Sequence, residues 1–318
     1  MTKEVILMEW FVLGTASFLL LFVLVVTCIC YVKIFYANRK AKKEEFDIPP
    51  GEEYLPHREN MVRWMKELRQ KPHVEYSTKS FDGLTLYGKF YELRKGAPIE
   101  LMLHGYRGDA ERDLCCGVDR AFAVGHSAFV IDHRACGKSD GCVITFGVLE
   151  SRDAHTWLDF IIHNIDKDAK IILTGISMGA ATALICAGEE LPENVVGVLA
   201  DCGYTSAKEI IQKVMADMKL PPKLLYPFAK LAAKWLGHFD LDEKAPIESM
   251  KKSSLPIIFF HGDTDGFVPC DMSVRNYEAC ASKDKKLVIT KGAGHALCYV
   301  VDSENYVKEV KDFFEQFE

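Results

Sequence analysis

A serine between two glycines is the first feature of this chain that is suited to chemistry. Gly175, Ser177 and Gly179 form a G-x-S-x-G motif that follows the apolar run KIILT and precedes AATALICA, which favours a helix. Small residues at a strand-to-helix junction permit the strained turn that exposes a serine hydroxyl. The positive end of the following helix also stabilises negative charge that develops during attack on a carbonyl group. The motif predicts that Ser177 is a nucleophile; the alternative is an idle serine in a tight glycine turn.

Two further residue types are needed, because a serine is a poor nucleophile without a base, and the base needs an acid that orients it. His295 follows the apolar run KLVIT, and Asp263 and Asp265 follow the run PIIFF. Each therefore lies beyond the end of a separate predicted strand, and the topology of a sheet can bring such positions to Ser177. We predict His295 as the general base and one of the two aspartates as its partner.

The elements that must position these residues form a repeated strand and helix pattern. It begins with a β-hairpin, since VEYSTKSF and LTLYGKFY flank Asp82-Gly83, a dipeptide typical of tight turns. Short apolar runs suited to buried parallel strands then alternate with helical patterns. These runs are IELML (99–103), SAFVID (127–132), KIILTG (170–175), VVGVLAD (195–201), PIIFFHG (256–262) and KLVITK (286–291). The pattern predicts an α/β domain over residues 74–318, with a mixed, mostly parallel sheet and helices on both faces.

The stretch between the runs VVGVLAD and PIIFFHG is too long for a simple crossover and predicts a helical cap inserted at about residues 203–250. Ser206 and Glu209 have the spacing of a capping box, and a second helical stretch follows a Pro-Pro pair. The apolar stripe of that stretch includes Phe228 and Trp235. We expect the cap to cover the mouth of the active site and these two side chains to line an apolar acyl pocket. The alternative is an ordinary amphipathic helix whose stripe packs on the domain.

The N-terminal region is not typical of a globular domain. After a flank at residues 1–9, residues 10–32 carry no charge, which predicts a transmembrane helix long enough for a hydrocarbon core about 30 Å thick. A cleaved signal peptide is the alternative, but its apolar region is only about 7–15 residues long. Residues 33–73 are predicted to form a basic juxtamembrane segment, an exposed linker over 44–56 that is rich in proline and acids, and an amphipathic helix with Met61, Met65 and Leu68 on one face.

Charge on the two sides of the predicted span indicates its orientation. Basic residues are concentrated on the C-terminal side, at Lys33, Arg39, Lys40, Lys42 and Lys43. Only Lys3 precedes the span. Because basic flanks remain cytoplasmic, we predict a single-pass protein of the cell membrane with its C-terminal domain in the cytoplasm. Eleven cysteines without any C-x-x-C spacing agree with free thiols in a reducing compartment. An extracellular C-terminal domain is the alternative.

Six groups of residues together resemble the α/β-hydrolase superfamily over about residues 74–318. The matching segments are His104–Gly108, Asp132–Gly141, Gly175–Gly179, Asp201–Ser206, Gly262–Pro269 and Gly294–His295. Within the superfamily the chain is most similar to bacterial membrane-anchored serine hydrolases of the esterase or lysophospholipase type. The resemblance implies the α/β-hydrolase fold, a Ser-Asp-His triad and hydrolysis through an acyl-enzyme intermediate, and it is nearly silent on substrate.

The resemblance also implies which residues form the triad. Ser177 corresponds to the nucleophile and His295 to the general base. The family's acid usually precedes a Val-Pro pair by three residues, which selects Asp265 as the orienting acid. Asp263, the competing aspartate, would then brace the loop.

The implied oxyanion hole uses two backbone N–H groups that point at the developing alkoxide. Met178, directly after the nucleophile, supplies one of them, and the resemblance places the other at Tyr106. The side chain of Tyr106 is expected to line the substrate pocket. His104, which precedes a glycine at the end of a predicted strand, is expected to be a structural hydrogen-bonding residue and not a second base.

Composition and motifs argue against several other classes of function. The chain has 39 basic and 45 acidic residues and a net charge of −6, so nucleic acid is not an expected partner. Histidines and cysteines lack metal-site spacing and no phosphate-binding loop is evident, so neither metal nor cofactor is expected. The expected substrate is a small-molecule ester or a lipid-like one. A peptidase, amidase or acyltransferase with the same triad, or a catalytically silent binding module, are the alternatives.

The charge asymmetry gives a test of orientation. A phosphatase that is active only outside the cytoplasm, fused to the C-terminus of the full chain, should stay inactive, because the basic flank retains the C-terminal domain in the cytoplasm. Phosphatase activity of intact cells is the measurement. A strongly active fusion would contradict the predicted orientation.

Overall fold

The computed structural model describes residues 3–38 and 45–317, and its centre is one eight-stranded sheet. The strands are β1 (Val74–Lys79), β2 (Thr85–Tyr91), β3 (Ile99–Leu103), β4 (Ser127–Asp132), β5 (Ile171–Ile176), β6 (Val195–Asp201), β7 (Ile257–Gly262) and β8 (Lys285–Thr290). Their spatial order is β1-β2-β4-β3-β5-β6-β7-β8. β2 pairs antiparallel with β1 and β4, and the other ladders are parallel. The predicted hairpin and mostly parallel sheet are confirmed.

Helices cover both faces of the sheet, because successive strand residues point to opposite sides and both sides are apolar. Ile171 and Leu173 of β5 share a buried cluster with Trp157, whereas Ile172 lies in the cluster of Phe314. The helices are α1 (Lys3–Cys30), α2 (Arg58–Gln70), α3 (Ala110–Asp113), α4 (Gly117–Val124), α5 (Val148–Asn164), α6 (Met178–Cys186), α7 (Ala207–Asp217), α8 (Pro222–Trp235), α9 (Pro246–Met250), α10 (Cys270–Ala279), α11 (Cys298–Val301) and α12 (Ser303–Phe314).

The segment between β6 and β7 is helical and contains α7, α8 and α9. The hydroxyl of Ser206 accepts a hydrogen bond from the backbone N–H of Glu209 at 3.1 Å, which caps α7 at its N-terminus. α8 buries Tyr226 and a row of small residues, Ala229, Ala232 and Ala233, so it approaches the domain closely. Its most apolar stripe is therefore not the side that packs on the domain.

The N-terminal helix α1 is followed by one π-helical turn, Tyr31–Phe35. Together Ile6–Phe35 is long and apolar enough to cross a membrane, with a mean hydropathy of 2.7. All side chains from Ile6 to Phe22 are exposed, whereas Cys30 and Phe35 are buried against the domain. The basic residues Arg39, Lys40, Lys42 and Lys43, on which the orientation prediction depends, lie outside the described residues.

The segment after the apolar N-terminal helix differs from the exposed linker predicted over 44–56. Residues 47–57, which begin within this segment and end one residue beyond it, are called the strap here. The strap ends in a 3₁₀ helix, Glu52–His57, and buries Ile48 and Tyr54 in one cluster with Met61 and Met65 of α2. The exposed-linker prediction is therefore wrong for these two side chains, because an apolar surface of the domain is available to them. The amphipathic helix predicted next is present as α2, and it packs on the domain through Met61, Met65 and Leu68.

Candidate active site

The turn from β5 into α6 holds Ser177 in a strained conformation. Its backbone has φ 56° and ψ −117°, a combination that L-residues adopt only when their surroundings impose it. Glycines on both sides make this turn possible. A Cβ atom at Gly175 would lie 2.2 Å from the backbone of Gly179, and a Cβ at Gly179 would lie 2.0 Å from the carbonyl oxygen of Leu103. The close approach of helix and strand that these glycines permit places the serine at the carboxyl edge of the sheet.

Ser177, His295 and Asp265 are in contact at this edge. The Nε2 atom of His295 lies 2.9 Å from the Oγ of Ser177, and its Nδ1 lies 2.7 Å from the Oδ2 of Asp265. All three residues are buried. The geometry fits a general base that faces a nucleophile on one side and an orienting carboxylate on the other. The structure thus brings together the three residues that the sequence predicted, one from the end of each of three parallel strands.

Asp265 and Asp263 occupy different environments. The Oδ1 of Asp265 accepts hydrogen bonds from the backbone N–H groups of Phe267 and Val268, at 2.9 and 2.8 Å. Asp263 is exposed, and its Oδ1 accepts a hydrogen bond of 2.6 Å from the backbone N–H of Gly292. The contact to the imidazole is made by Asp265, and Asp263 joins two loops.

The carboxylate of Asp265 also touches a second histidine, His261, which was not among the site residues predicted from the sequence. Nε2 of His261 lies 3.1 Å from Oδ2 of Asp265, and its Nδ1 lies 2.7 Å from Oγ of Ser273. Burial alone would raise the pKa of Asp265, but contacts with His261 and His295 outweigh it and hold that pKa well below its usual range. The only signal in the sequence that points to His261 is its position near the end of β7, four residues before Asp265.

The loop after β3 lies beside the serine, where the sequence places the second oxyanion donor. A Cβ at Gly105 would lie 3.5 Å from the Cβ of Ser177. The backbone N–H of Gly105 donates a hydrogen bond of 3.0 Å to Asp113, whose carboxylate also pairs with Arg112 at 2.7 Å. These contacts fix the loop that carries Tyr106. Met178, the other predicted donor, begins α6 directly after the serine.

His104 is buried at the end of β3 and bonded to the backbone on both sides. Its Nε2 accepts a hydrogen bond of 3.0 Å from the N–H of His133, and its Nδ1 lies 2.7 Å from the carbonyl oxygen of Gly105. Both ring nitrogens are thereby occupied, which matches the structural role expected for it.

A cavity of about 470 Å³ opens onto Ser177 and His295. Tyr106 and Phe267 form part of its wall, and Phe267 packs against the His295 ring at 5.1 Å between centroids. The strap lines the opposite part of this cavity through residues 47–50, 53 and 54. This wall could not be predicted from the sequence, because a Pro-Pro-Gly segment rich in acids has no periodicity that indicates docking. The signal that was available is the pair of apolar residues, Ile48 and Tyr54, within it.

Phe228 and Trp235 are not among the residues that line this cavity. The ring of Phe228 instead meets Phe22 of α1, edge to face, with 6.3 Å between centroids. Trp235 is 56% exposed. The expectation that both line an acyl pocket is therefore not met in this structure, because α8 turns its small residues, and not its aromatic stripe, toward the domain. Tyr106 does line the cavity, as predicted.

The end of the apolar N-terminal segment is bonded to the same loop as the candidate oxyanion donor. The hydroxyl of Tyr106 donates a hydrogen bond of 2.6 Å to the carbonyl oxygen of Ile34. The guanidinium of Arg107 donates to the carbonyl oxygens of Lys33 and Tyr36, at 2.9 and 3.1 Å. Burial raises the pKa of Tyr106 to about 12, so its hydroxyl remains a donor at neutral pH.

Two groups of potential metal ligands occur among the described residues. One is Cys202 with Asp265 and His295, and so belongs to the triad contacts. The other is His155, Cys186 and Glu189. Glu189 in this second group is already paired with Lys244 at 2.6 Å and with His155 at 2.9 Å, which accounts for its charge. Neither group points to a metal centre.

Known proteins resemble this chain in both sequence and fold. A family model described as alpha/beta hydrolase fold matches residues 101–238. The uncharacterized protein YqkD of Bacillus subtilis is 28% identical over 193 residues, which are 60% of this chain and 63% of that protein. The chain thus spans less than two thirds of the length of YqkD. Caffeoylshikimate esterase of Arabidopsis thaliana is 26% identical over 306 residues, or 84% of this chain and 88% of that protein.

Solved structures of low sequence identity share the same architecture. An esterase of Pyrococcus furiosus superposes with a TM-score of 0.64 at 22% identity, covering 79% of this chain and 93% of its own. The strand order, the serine turn between β5 and α6 and the family match agree with one another. The chain therefore has the α/β-hydrolase fold.

Proposed function

We propose that this protein is a membrane-tethered serine hydrolase that cleaves carboxylic esters through an acyl-enzyme intermediate. The observation that carries the proposal is the continuous contact from Asp265 through His295 to Ser177, with the serine on a strained turn. Strain at such a turn persists where a defined position of the hydroxyl is required. A cavity that opens onto the serine leaves room for a substrate beside it.

The proposed reaction uses each group in turn. Ser177 Oγ attacks the ester carbonyl carbon while His295 Nε2 takes the hydroxyl proton, and the alkoxide forms against the N–H groups of Met178 and Tyr106. His295 then protonates the departing alcohol, which leaves the acyl group on Ser177. Water attacks this acyl group with His295 again as base, the acid is released and the serine recovers its proton. Asp265 holds the imidazole in the tautomer with a proton on Nδ1 and stabilises its cationic form.

An ester substrate is supported by the relatives. Caffeoylshikimate esterase of Arabidopsis thaliana and the protein of Pyrococcus furiosus are both named as esterases. The wall of the cavity contains Ile48, Tyr54, Met61, Tyr106 and Phe267, which favours an apolar or aromatic group near the serine. The charged residues Glu53 and Arg107 also line it, so one side of the substrate is expected to be polar.

Tethering is supported by Ile6–Phe35, whose length and mean hydropathy of 2.7 are those of a membrane-spanning helix. The exposure of every side chain from Ile6 to Phe22 fits a segment that faces lipid and not the interior of the domain. A basic flank follows the segment, and it favours a cytoplasmic position for the hydrolase domain.

Replacement of the nucleophile tests the proposal directly. Ser177→Ala in the full chain should abolish covalent labelling by a fluorophosphonate probe and reduce ester turnover by a factor on the order of 10⁶. Mass spectrometry of the labelled peptide identifies the modified residue. Ser254→Ala, at an exposed serine, is the matched control and should label like the unchanged protein. Labelling that persists without the Ser177 hydroxyl would refute the assignment.

The two aspartates give a second test, because only one of them faces the imidazole. Asp265→Asn should reduce kcat by roughly 10⁴-fold, since an amide stabilises the wrong imidazole tautomer. Asp263→Asn should have a much smaller effect, because its carboxylate accepts a backbone hydrogen bond away from the triad. Steady-state kinetics on one ester, with circular dichroism to confirm folding, are the measurements. The opposite ranking would show that Asp263 is the acid.

Preference for esters over amides is measured with matched substrates. We expect p-nitrophenyl esters of graded acyl length to be hydrolysed faster than the p-nitroanilides of the same acids by the full chain in detergent. The Ser177→Ala protein supplies the background rate for each compound. A higher kcat/KM for the anilides than for the esters of the same acids would instead favour an amidase.

A further inference from the structure

Apolar side chains are exposed at both ends of α8, and no described residue covers them. Met218, Leu220 and Leu224 lie at or near the turn between α7 and α8, and Trp235 is the last residue of α8. Leu224 is 64% exposed and Met218 65%. Turns that face water are normally polar, and clustered exposed apolar side chains indicate an interaction surface. These four residues are called the α8 face here.

The α8 face is continuous with the apolar N-terminal helix. Leu224, Phe228 and Trp235 occur at i, i+4 and i+11, so they lie along one side of α8. Phe22 of α1 packs edge to face on Phe228, in the middle of this side. α1 therefore meets the stripe at Phe228, while Leu224 and Trp235, on either side of it along α8, are exposed. If α1 is surrounded by lipid, the uncovered ends of the stripe meet the same lipid.

The length of α1 indicates how deep the contact lies. At about 1.5 Å per residue, a hydrocarbon core about 30 Å thick takes about 20 residues. Counted from Ile6 these reach Val25, and counted from Trp10, after the last acidic residue, they reach Ile29. Phe22 then lies about 5–10 Å below the hydrocarbon boundary, which is the depth at which interfacial amphipathic helices bury their apolar face.

Charge on α8 fits the same placement. Lys219, Lys223 and Lys234 are exposed and each adjoins an apolar residue of the α8 face. Lysine side chains beside an inserted apolar face extend their amines to the headgroups while their aliphatic parts stay in the apolar layer. A row of lysines at this level also attracts anionic lipids.

We propose that the α8 face lies in the lipid leaflet next to the hydrolase domain, as a second membrane contact beside α1. The turn that ends the α1 segment is bonded to Tyr106 and Arg107, which line the cavity at Ser177. The cavity is thus held close to the bilayer surface. Resting on the proposed ester hydrolysis, this assigns the substrate to amphiphilic esters that reside in the bilayer, in preference to freely dissolved ones. The inference holds for either orientation of α1, because α8 packs on its C-terminal half.

Quenching of tryptophan fluorescence by brominated lipids tests the membrane contact without reference to activity. The full chain is reconstituted in phosphatidylcholine vesicles whose acyl chains are brominated near the headgroup, and the emission lost in Trp235→Phe gives the signal of Trp235. We expect brominated lipid to quench this signal strongly relative to unbrominated vesicles. Trp64→Phe is the matched control, because Trp64 lies on α2 and packs against the domain, so its signal should be unaffected. Equal, weak quenching of both would overturn the inference and leave the α8 face to a protein partner or a second copy of the chain.

A charge on the α8 face tests the substrate class. Leu224→Glu in vesicles should reduce hydrolysis of a long-chain fluorogenic ester in the bilayer by about tenfold relative to hydrolysis of a soluble acetyl ester. Val74→Glu, which places the same charge on an exposed apolar residue of the edge strand β1, should leave that ratio unchanged. An equal effect on both substrates would overturn the assignment to bilayer esters. Absence of turnover on every ester in the unchanged protein would refute the proposed hydrolysis, whereas the quenching result would still decide the membrane contact.

Discussion

The contact between the start of α6 and the end of β3 is the constraint on which the candidate site depends. Gly179 approaches the carbonyl oxygen of Leu103 so closely that a Cβ there would lie 2.0 Å away, and Gly175 is equally closely packed on the same turn. Any larger side chain would push the helix from the sheet. With the helix in place, Ser177 has to take positive φ, and its hydroxyl faces the ends of the neighbouring strands. A local steric condition thus determines the position of the residue that would do the chemistry.

The orientation of His295 depends on how firmly Asp265 is held. Two backbone N–H groups fix one oxygen of this carboxylate, while His295 and His261 share the other. The cost of burying a charge is offset by these four contacts, so the group stays ionised and its direction is fixed. Asp263, only two residues away, is exposed and receives one backbone hydrogen bond. The two aspartates therefore differ in burial and in the number of hydrogen-bond donors that contact them. Neither property can be read from residue spacing.

The features that depend on local sequence pattern could be predicted from the sequence. Apolar runs between turn residues gave β3, β4 and β6 with their observed bounds, because a buried parallel strand needs a continuous apolar stretch. Gly175 and Gly179 around Ser177, and the chain order of Ser177, Asp265 and His295, predicted the contacts that the structure contains. The docking of the strap could not be predicted in this way, because its apolar residues follow no periodic pattern. Its position depends on a surface formed by α2 and distant loops.

The apolar stripe of α8 is a second feature whose surroundings cannot be predicted from sequence periodicity. Spacing at i and i+4 identifies an apolar side of a helix, but it does not say what covers that side. A row of three alanines lets α8 approach the domain on one side, whereas Phe228 of the aromatic stripe meets Phe22 of α1 and Trp235 stays exposed. The placement of Phe228 and Trp235 is therefore a consequence of which side packs more closely, and not of which side is more apolar.

The end of the apolar N-terminal segment has a structural role in the candidate site. The last carbonyl groups of a helix lack partners within it, and here those of Lys33 and Ile34 accept hydrogen bonds from Arg107 and Tyr106. These donors lie on the loop beside Ser177, so the end of the N-terminal segment finds its hydrogen-bond partners in the wall of the candidate site. Phe35 strengthens the same junction, since it is fully buried against Phe146 and Phe239. A chain that begins after this segment would leave the Tyr106 hydroxyl and the Arg107 guanidinium without these acceptors and would open the space that Phe35 fills. The geometry of the candidate site therefore depends on this N-terminal segment, which packs on the hydrolase fold as one unit with it.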